Sequence, residues 1–199
     1  MLCDSCKEAI YNRTDGDKTP LAHRVAKIAQ ASGPVCPCEE CKVGEDSPGP
    51  VADDEVLHFI VTDPQAIEGD KIKPFALSQV YKDGLSTIRS TAPVEEYILV
   101  LERLIQRSKE ANNEERYFDS VLEFPASLVR YDEAESRLLC VYDTSLTEQP
   151  NHVDLMVPGA DKLTKKDVAA LTKKLRELLT KRISGSDLFN GELTKYMRS

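Results

Sequence analysis

Five of the six cysteines stand within the first 41 residues, as Cys3-x-x-Cys6 and Cys36-x-Cys38-x-x-Cys41. Thiolates bind zinc well, a Cys-x-x-Cys turn presents two of them to one ion, and two such turns close a tetrahedral site. The spacing therefore predicts a small N-terminal segment, residues 1–43, folded around one structural Zn2+. Cys3, Cys6, Cys38 and Cys41 complete the donor set, with Cys36 as a spare or as the ligand in place of Cys38. Zinc held by four thiolates has no open position, so such a site folds its segment and does not catalyse. An iron–sulfur cluster uses the same four-cysteine set and stays open as the alternative. A redox role for one Cys-x-x-Cys lacks the expected βαβ surroundings. Cys140 lies inside an apolar run and reads as a small core residue.

Between the cysteine pairs, Thr19 and Pro20 form a good helix start, and Leu21, Val25 and Ile28 fall on one helical face. His23 sits on this helix. It is a further candidate ligand, or the histidine of a nuclease-like knuckle, but no second histidine or asparagine stands at a suitable spacing. Residues 44–55 follow, with Pro48, Pro50, Gly44, Gly49 and clustered acids. That composition reads as a linker with no buried element, and it divides the cysteine-rich segment from a body at 56–199.

In the body, Glu55–Val61 and Gly84–Arg89 read as short apolar strands, with a loop between them and a short helix or turn from Lys73. Val94, Tyr97, Ile98, Leu101, Leu104 and Ile105 keep helical spacing as far as Lys109, and Glu95 and Glu96 lie in the first turn, where the helix dipole favours acids. Phe118–Arg130 and Arg137–Asp143 read as strands joined in a hairpin through Asp132–Glu135. His152–Val157 is a further strand. Thr164 and Asp167 form a capping box with Asp in place of the usual Glu, ahead of a closing helix whose buried stripe is Val168, Leu171, Leu175, Leu178 and Leu179.

Strands and helices do not alternate regularly, which disfavours a doubly wound parallel sheet. The expected fold class is α+β, a mixed or antiparallel sheet with helices packed on it, plus the small zinc-binding segment. With no Trp and few aromatics, the core must rest on Leu, Ile and Val. A net charge of −8 argues against nucleic acid, whose binding draws on Lys and Arg. The basic residues of 162–182 alternate with apolar ones, as on the solvated side of an amphipathic helix. No apolar run approaches the roughly 20 residues that cross a bilayer. Met1-Leu2-Cys3-Asp4 has no leader pattern, and the expectation is a cytoplasmic protein.

Catalytic candidates are few. His58 and His152 both lie in strands, and if those strands are neighbours the two would share a cleft with Ser86 or Asp154. Histidine is the usual base near neutral pH, and a serine beside it can act as nucleophile. Ser86 lacks the Gly-x-Ser-x-Gly elbow, and no glycine-rich phosphate loop occurs. A polar strand residue, Ser86-Thr87 and Glu123 also loosely resemble the order found in ADP-ribosyltransferases, which would make the ligand a nucleotide such as NAD.

Leu57-His58-Phe59, Asp63-Pro64, Lys73-Pro74-Phe75-Ala76, Leu85-Ser86-Thr87 and Pro150-Asn151-His152-Val153-Asp154 occur in this order. Together they resemble a family of small uncharacterised bacterial proteins, over about residues 57–158. The resemblance implies a bacterial origin and assigns no activity. Phe59 stands where the family has a basic residue, and the cysteine-rich front is an addition. The reading that follows is a zinc-stabilised, non-catalytic module that contacts another protein; the alternative is an enzyme using His58, Ser86 and His152.

Overall fold

The computed structural model describes residues 19–32, 37–42, 45–63, 65–111, 116–184 and 191–197. Cys3, Cys6 and Cys36 lie outside these residues. The fold is α+β, and its sheet is antiparallel throughout. The strands are β1 (Val56–Val61), β4 (Leu85–Arg89), β5 (Ser120–Pro125), β6 (Cys140–Asp143), β7 (His152–Met156) and β8 (Ile183–Ser184), in the order β6-β7-β4-β1-β5-β8. Two two-residue strands, β2 (Ile67–Glu68) and β3 (Lys71–Ile72), form a separate small hairpin. The helices are α1 (Leu21–Ser32), α2 (Val94–Glu110), the single-turn α3 (Ala126–Arg130) and α4 (Lys165–Thr180), with a 3-10 segment at Pro74–Tyr81 and a 3-10 turn at Pro37–Glu40. Among the described residues no helix is long and apolar enough to cross a membrane.

Side chains alternate across a strand, so the register assigns each residue a face. Leu57, Leu85, Leu122, Phe124, Val141, Val153 and Leu155 supply the main core. Against them pack Ala22 and Val25 of α1, Leu77 and Val80 of the 3-10 segment, and Leu175 and Leu179 of α4. Helix α1, expected between the zinc knuckles, thus packs Ala22 and Val25 into the same core as the body, and Ala22 N–H donates to Lys82 O at 2.6 Å. On the opposite face Ile60, Ile88 and Val121 meet Tyr97 and Leu101 of α2. Four aromatics join the cores: Tyr97, Phe118, Phe124 and Tyr142 are among the largest fully buried side chains.

Three expectations require correction. The hairpin of Phe118–Arg130 with Arg137–Asp143 does not form. The ladder ends at Pro125, which has no N–H to give it, and the chain turns into α3. β5 pairs with β1 and β8, whereas β6 pairs with β7, and in place of a ladder the two segments are linked through the Tyr131–Arg137 bridge and two adjoining backbone bonds. The loop through Gly69-Asp70 contains the β2–β3 hairpin, with Gly69 in the left-handed region.

Residues 45–55 are not a solvated strap. Ser47, Gly49 and Val51 are buried. Arg89, 2% exposed, donates to Glu55 at 2.6 Å and to the carbonyl of Gly49, and lies 3.8 Å from the fully buried Asp143. Ser47 donates to Asp143, and Arg130 donates to Val51 O at 2.6 Å and Asp53 at 2.5 Å. Prolines and glycines remove donors and side chains from this stretch. Its carbonyls and acids still suit two buried guanidinium groups, whose planar forks bind several oxygens at once.

Candidate functional site

On the α2 face the helix leaves part of the sheet uncovered, and there a cleft of about 690 Å³ opens. Its walls include His58, Ser86 and His152 together with Phe75, Val100, Leu104 and Leu146. Strand order explains the convergence: β4 lies between β1 and β7, with His58 paired to Ile88 and Ile88 paired to His152. Both histidines therefore point to one face, separated by the width of a strand. The two histidine strands are not neighbours, and the histidines do not touch.

His58 is 5% exposed, and both of its ring nitrogens are occupied. Nδ1 lies 2.9 Å from the Tyr97 hydroxyl and Nε2 lies 2.9 Å from Glu123 Oε2. A carboxylate only accepts, so Nε2–H donates to Glu123, and the Tyr97 hydroxyl, also 3.1 Å from Arg89 O, bridges Nδ1 and that carbonyl. Burial, and then the nearby acids Glu96 and Glu123, raise the Tyr97 pKa well above its ordinary value. The Tyr97–His58–Glu123 chain holds α2 to β1 and β5.

His152 is placed differently. Glu96, buried at the start of α2, accepts from Asn151 N at 3.1 Å and from its side-chain amide at 2.6 Å, which fixes the turn into β7. Nδ1 of His152 meets the Thr144 hydroxyl at 2.8 Å and the Thr144 carbonyl at 3.3 Å. Nε2 has no hydrogen-bond partner among the described residues. Ser86 is exposed and donates to Asp154 Oδ1 at 3.1 Å, and it makes no hydrogen bond to either histidine. Gly84 makes room for this pair: a Cβ there would lie 3.0 Å from the Asp154 carboxylate, and its φ of +93° excludes most side chains.

No family model, curated protein or solved structure matches this chain. Its chemistry has to be read from its own residues.

The pair Ser86-Thr87 is split across the sheet. Ser86 faces the cleft, and Thr87 is buried on the other side, donating to Val153 O at 2.9 Å. Glu123 faces His58. Sequence reasoning missed Tyr97 and Glu96 as positioning groups, assigning one to a helix stripe and the other to the dipole. It also passed over Gln149 and the arginines of the cleft wall, Arg103, Arg107 and Arg116. The i, i+4 spacing of Arg103 and Arg107 on α2 was the available signal.

Of the cysteine motif, Cys41 is half-buried and follows the 3-10 turn Pro37–Glu40, whereas the Cys38 side chain lies outside the described atoms. Glu39 within this turn is buried against the body. It accepts from Val141 N–H at 2.7 Å and Arg130 Nε at 3.2 Å, and also from Arg137. Cys140 is buried beside Arg137, consistent with the core position expected for it. Among the described residues no group of three metal-ligating side chains comes together.

Proposed function

We propose that the chain is a zinc-stabilised accessory module that contacts another protein and carries out no chemistry of its own. The observation behind this reading is the state of the cleft's candidate catalytic groups. His58 has both nitrogens engaged, Ser86 gives its proton to Asp154, and neither histidine hydrogen-bonds to Ser86. The donor chemistry of the cysteines suits zinc, and their Cys-x-x-Cys spacing suits two thiolates on one ion. The zinc would be held by Cys3, Cys6, Cys41 and either Cys36 or Cys38. Its contribution would be to fold that segment, which Glu39 then fastens to the body, so that a partner would meet head and body as one surface.

Elemental analysis should find about one zinc per chain, lowered in Cys38→Ser; a metal-free protein with an equally ordered amino end overturns the zinc assignment, and iron with visible absorbance replaces it by a cluster. A second reading, an enzyme using His152 with Ser86 on a nucleotide-like ligand, draws on the unpartnered Nε2 of His152 in the cleft. His152→Ala separates the two in a complementation assay. Retained function supports the accessory module, and lost function at an unchanged melting temperature supports the enzyme.

A further inference from the structure

Gln149 is 4% exposed and lines the cleft, with its side-chain Oε1 accepting from Arg103 at 3.1 Å. A guanidinium only donates, so this contact sets the orientation of the amide and leaves Nε2 on the other side. Nε2 is buried and has no hydrogen-bond partner among the described residues. Buried amide donors without an acceptor are rare in folded proteins, and this one belongs to a cleft residue.

The charges around it have the matching sign. The cleft wall carries Arg103, Arg107 and Arg116 against Asp63 and Asp83, a positive surplus in a chain whose net charge is −8. Arg103 is shared with the exposed Glu148, and Arg116 lies 3.7 Å from Asp63. Arg107, one helical turn beyond Arg103, has no side-chain partner among the described residues. The apolar side is also prepared: of the four exposed large hydrophobic side chains among the described residues, Phe75 and Leu146 line this cleft.

We propose that the cleft binds a small organic anion, its charged group held by Gln149 Nε2 and Arg107 and its apolar body lying on Phe75 and Leu146. Phosphates and carboxylates share the required chemistry, several acceptor oxygens around one negative centre, and a guanidinium receives either as a fork. The backbone N–H of His152 donates to the backbone carbonyl of Gln149 at 3.1 Å, and both residues line the cleft. The proposal concerns binding, and it is independent of whether the bound molecule is transformed and of the metal.

Calorimetric titration of the full chain with phenyl phosphate, inorganic phosphate and phenol tests it. Phenyl phosphate should bind saturably at one site, with phenol and inorganic phosphate each about tenfold weaker or more. Arg107→Ala should weaken phenyl phosphate about tenfold at an unchanged melting temperature, because its side chain is exposed and has no partner among the described residues. Gln149→Met should weaken it as well, since it removes the bare donor; it also takes an acceptor from Arg103, which keeps Glu148, so its melting temperature is measured beside that of Arg107→Ala. The proposal is overturned by phenyl phosphate failing to saturate at millimolar concentration, by phenol binding equally well, or by Arg107→Ala binding with wild-type affinity. A phenyl phosphate titration of the Cys38→Ser chain that matches the wild type leaves the proposal standing whatever becomes of the zinc.

Discussion

Glu39, from the turn between Cys38 and Cys41, forms a buried ion pair with Arg130 at the end of α3, Oε1 to Nε at 3.2 Å. Both side chains are almost fully enclosed, at 5% and 7% exposure, and the second Glu39 oxygen is taken by Arg137. The cysteine-bearing turn is thereby attached to the body through a carboxylate, independently of any metal.

Glu39→Gln should therefore destabilise the whole fold. The substitution removes charge-assisted hydrogen bonds to two arginines in a largely enclosed setting, at a cost of about 1–3 kcal/mol. Arg130 keeps Asp53 and Val51 O, and Arg137 loses its only carboxylate among the described residues. Urea denaturation measures the effect, and an unchanged midpoint would mean that the turn is not held by this contact.

His58→Gln should lower stability by about 1–3 kcal/mol, because Tyr97 and Glu123 both lose their partner in a partly buried setting. Tyr97→Phe should cost about 1 kcal/mol, and the double substitution less than the sum, since the three groups form one chain. Strict additivity in a double-mutant cycle would refute the coupling.

Gly84→Ala tests the packing beneath Ser86. The new methyl would press on the Asp154 carboxylate in a backbone conformation of φ +93°, and strain of this kind costs about 1–3 kcal/mol. A melting temperature equal to the wild type would show that β4 absorbs the change.

Acid should loosen the turn at Asp132. Its carboxyl is held below the usual carboxylate range, first by Lys174 and then by the backbone amides of Ser136 and Ala134. A carboxyl with a depressed folded-state pKa binds protons more weakly when folded. Its stabilisation is thus complete above the unfolded value of about 3.9 and is lost as pH falls below it. Asp132→Asn should flatten the stability profile in that window, read from thermal melts at several pH values; a profile that keeps its wild-type slope counts against the assignment.

Much of this chain was legible because periodicity and caps act locally. The span Val94–Lys109 differs from α2 by one residue at its end, and the Thr164–Asp167 box is formed, with Asp167 N donating to Thr164 Oγ1 at 3.3 Å and Thr164 N to Asp167 Oδ2 at 3.0 Å. β1, β4 and β7 were recognisable as apolar runs. What failed was pairing. Arg137–Asp143 follows Phe118–Arg130 closely and is apolar, so a hairpin was the economical guess, and it required that the chain stay extended through Pro125. The 44–55 stretch failed for a related reason: its composition describes what its own side chains can bury and says nothing about which distant guanidinium groups need its carbonyls.

The candidate site divides in the same way. From the sequence alone came the residue types, two histidines and a serine in strands, the thiol spacing and the acidic balance, all of which depend only on neighbours along the chain. The tertiary structure decided that β4 would lie between the histidine strands, that Tyr97 and Glu123 would close around His58, and that Gln149 would be buried with one end bonded and the other bare. Those outcomes depend on which segments come to lie side by side, and hydrogen-bond partners brought from about 40 to 100 residues away leave no pattern in the local order of amino acids.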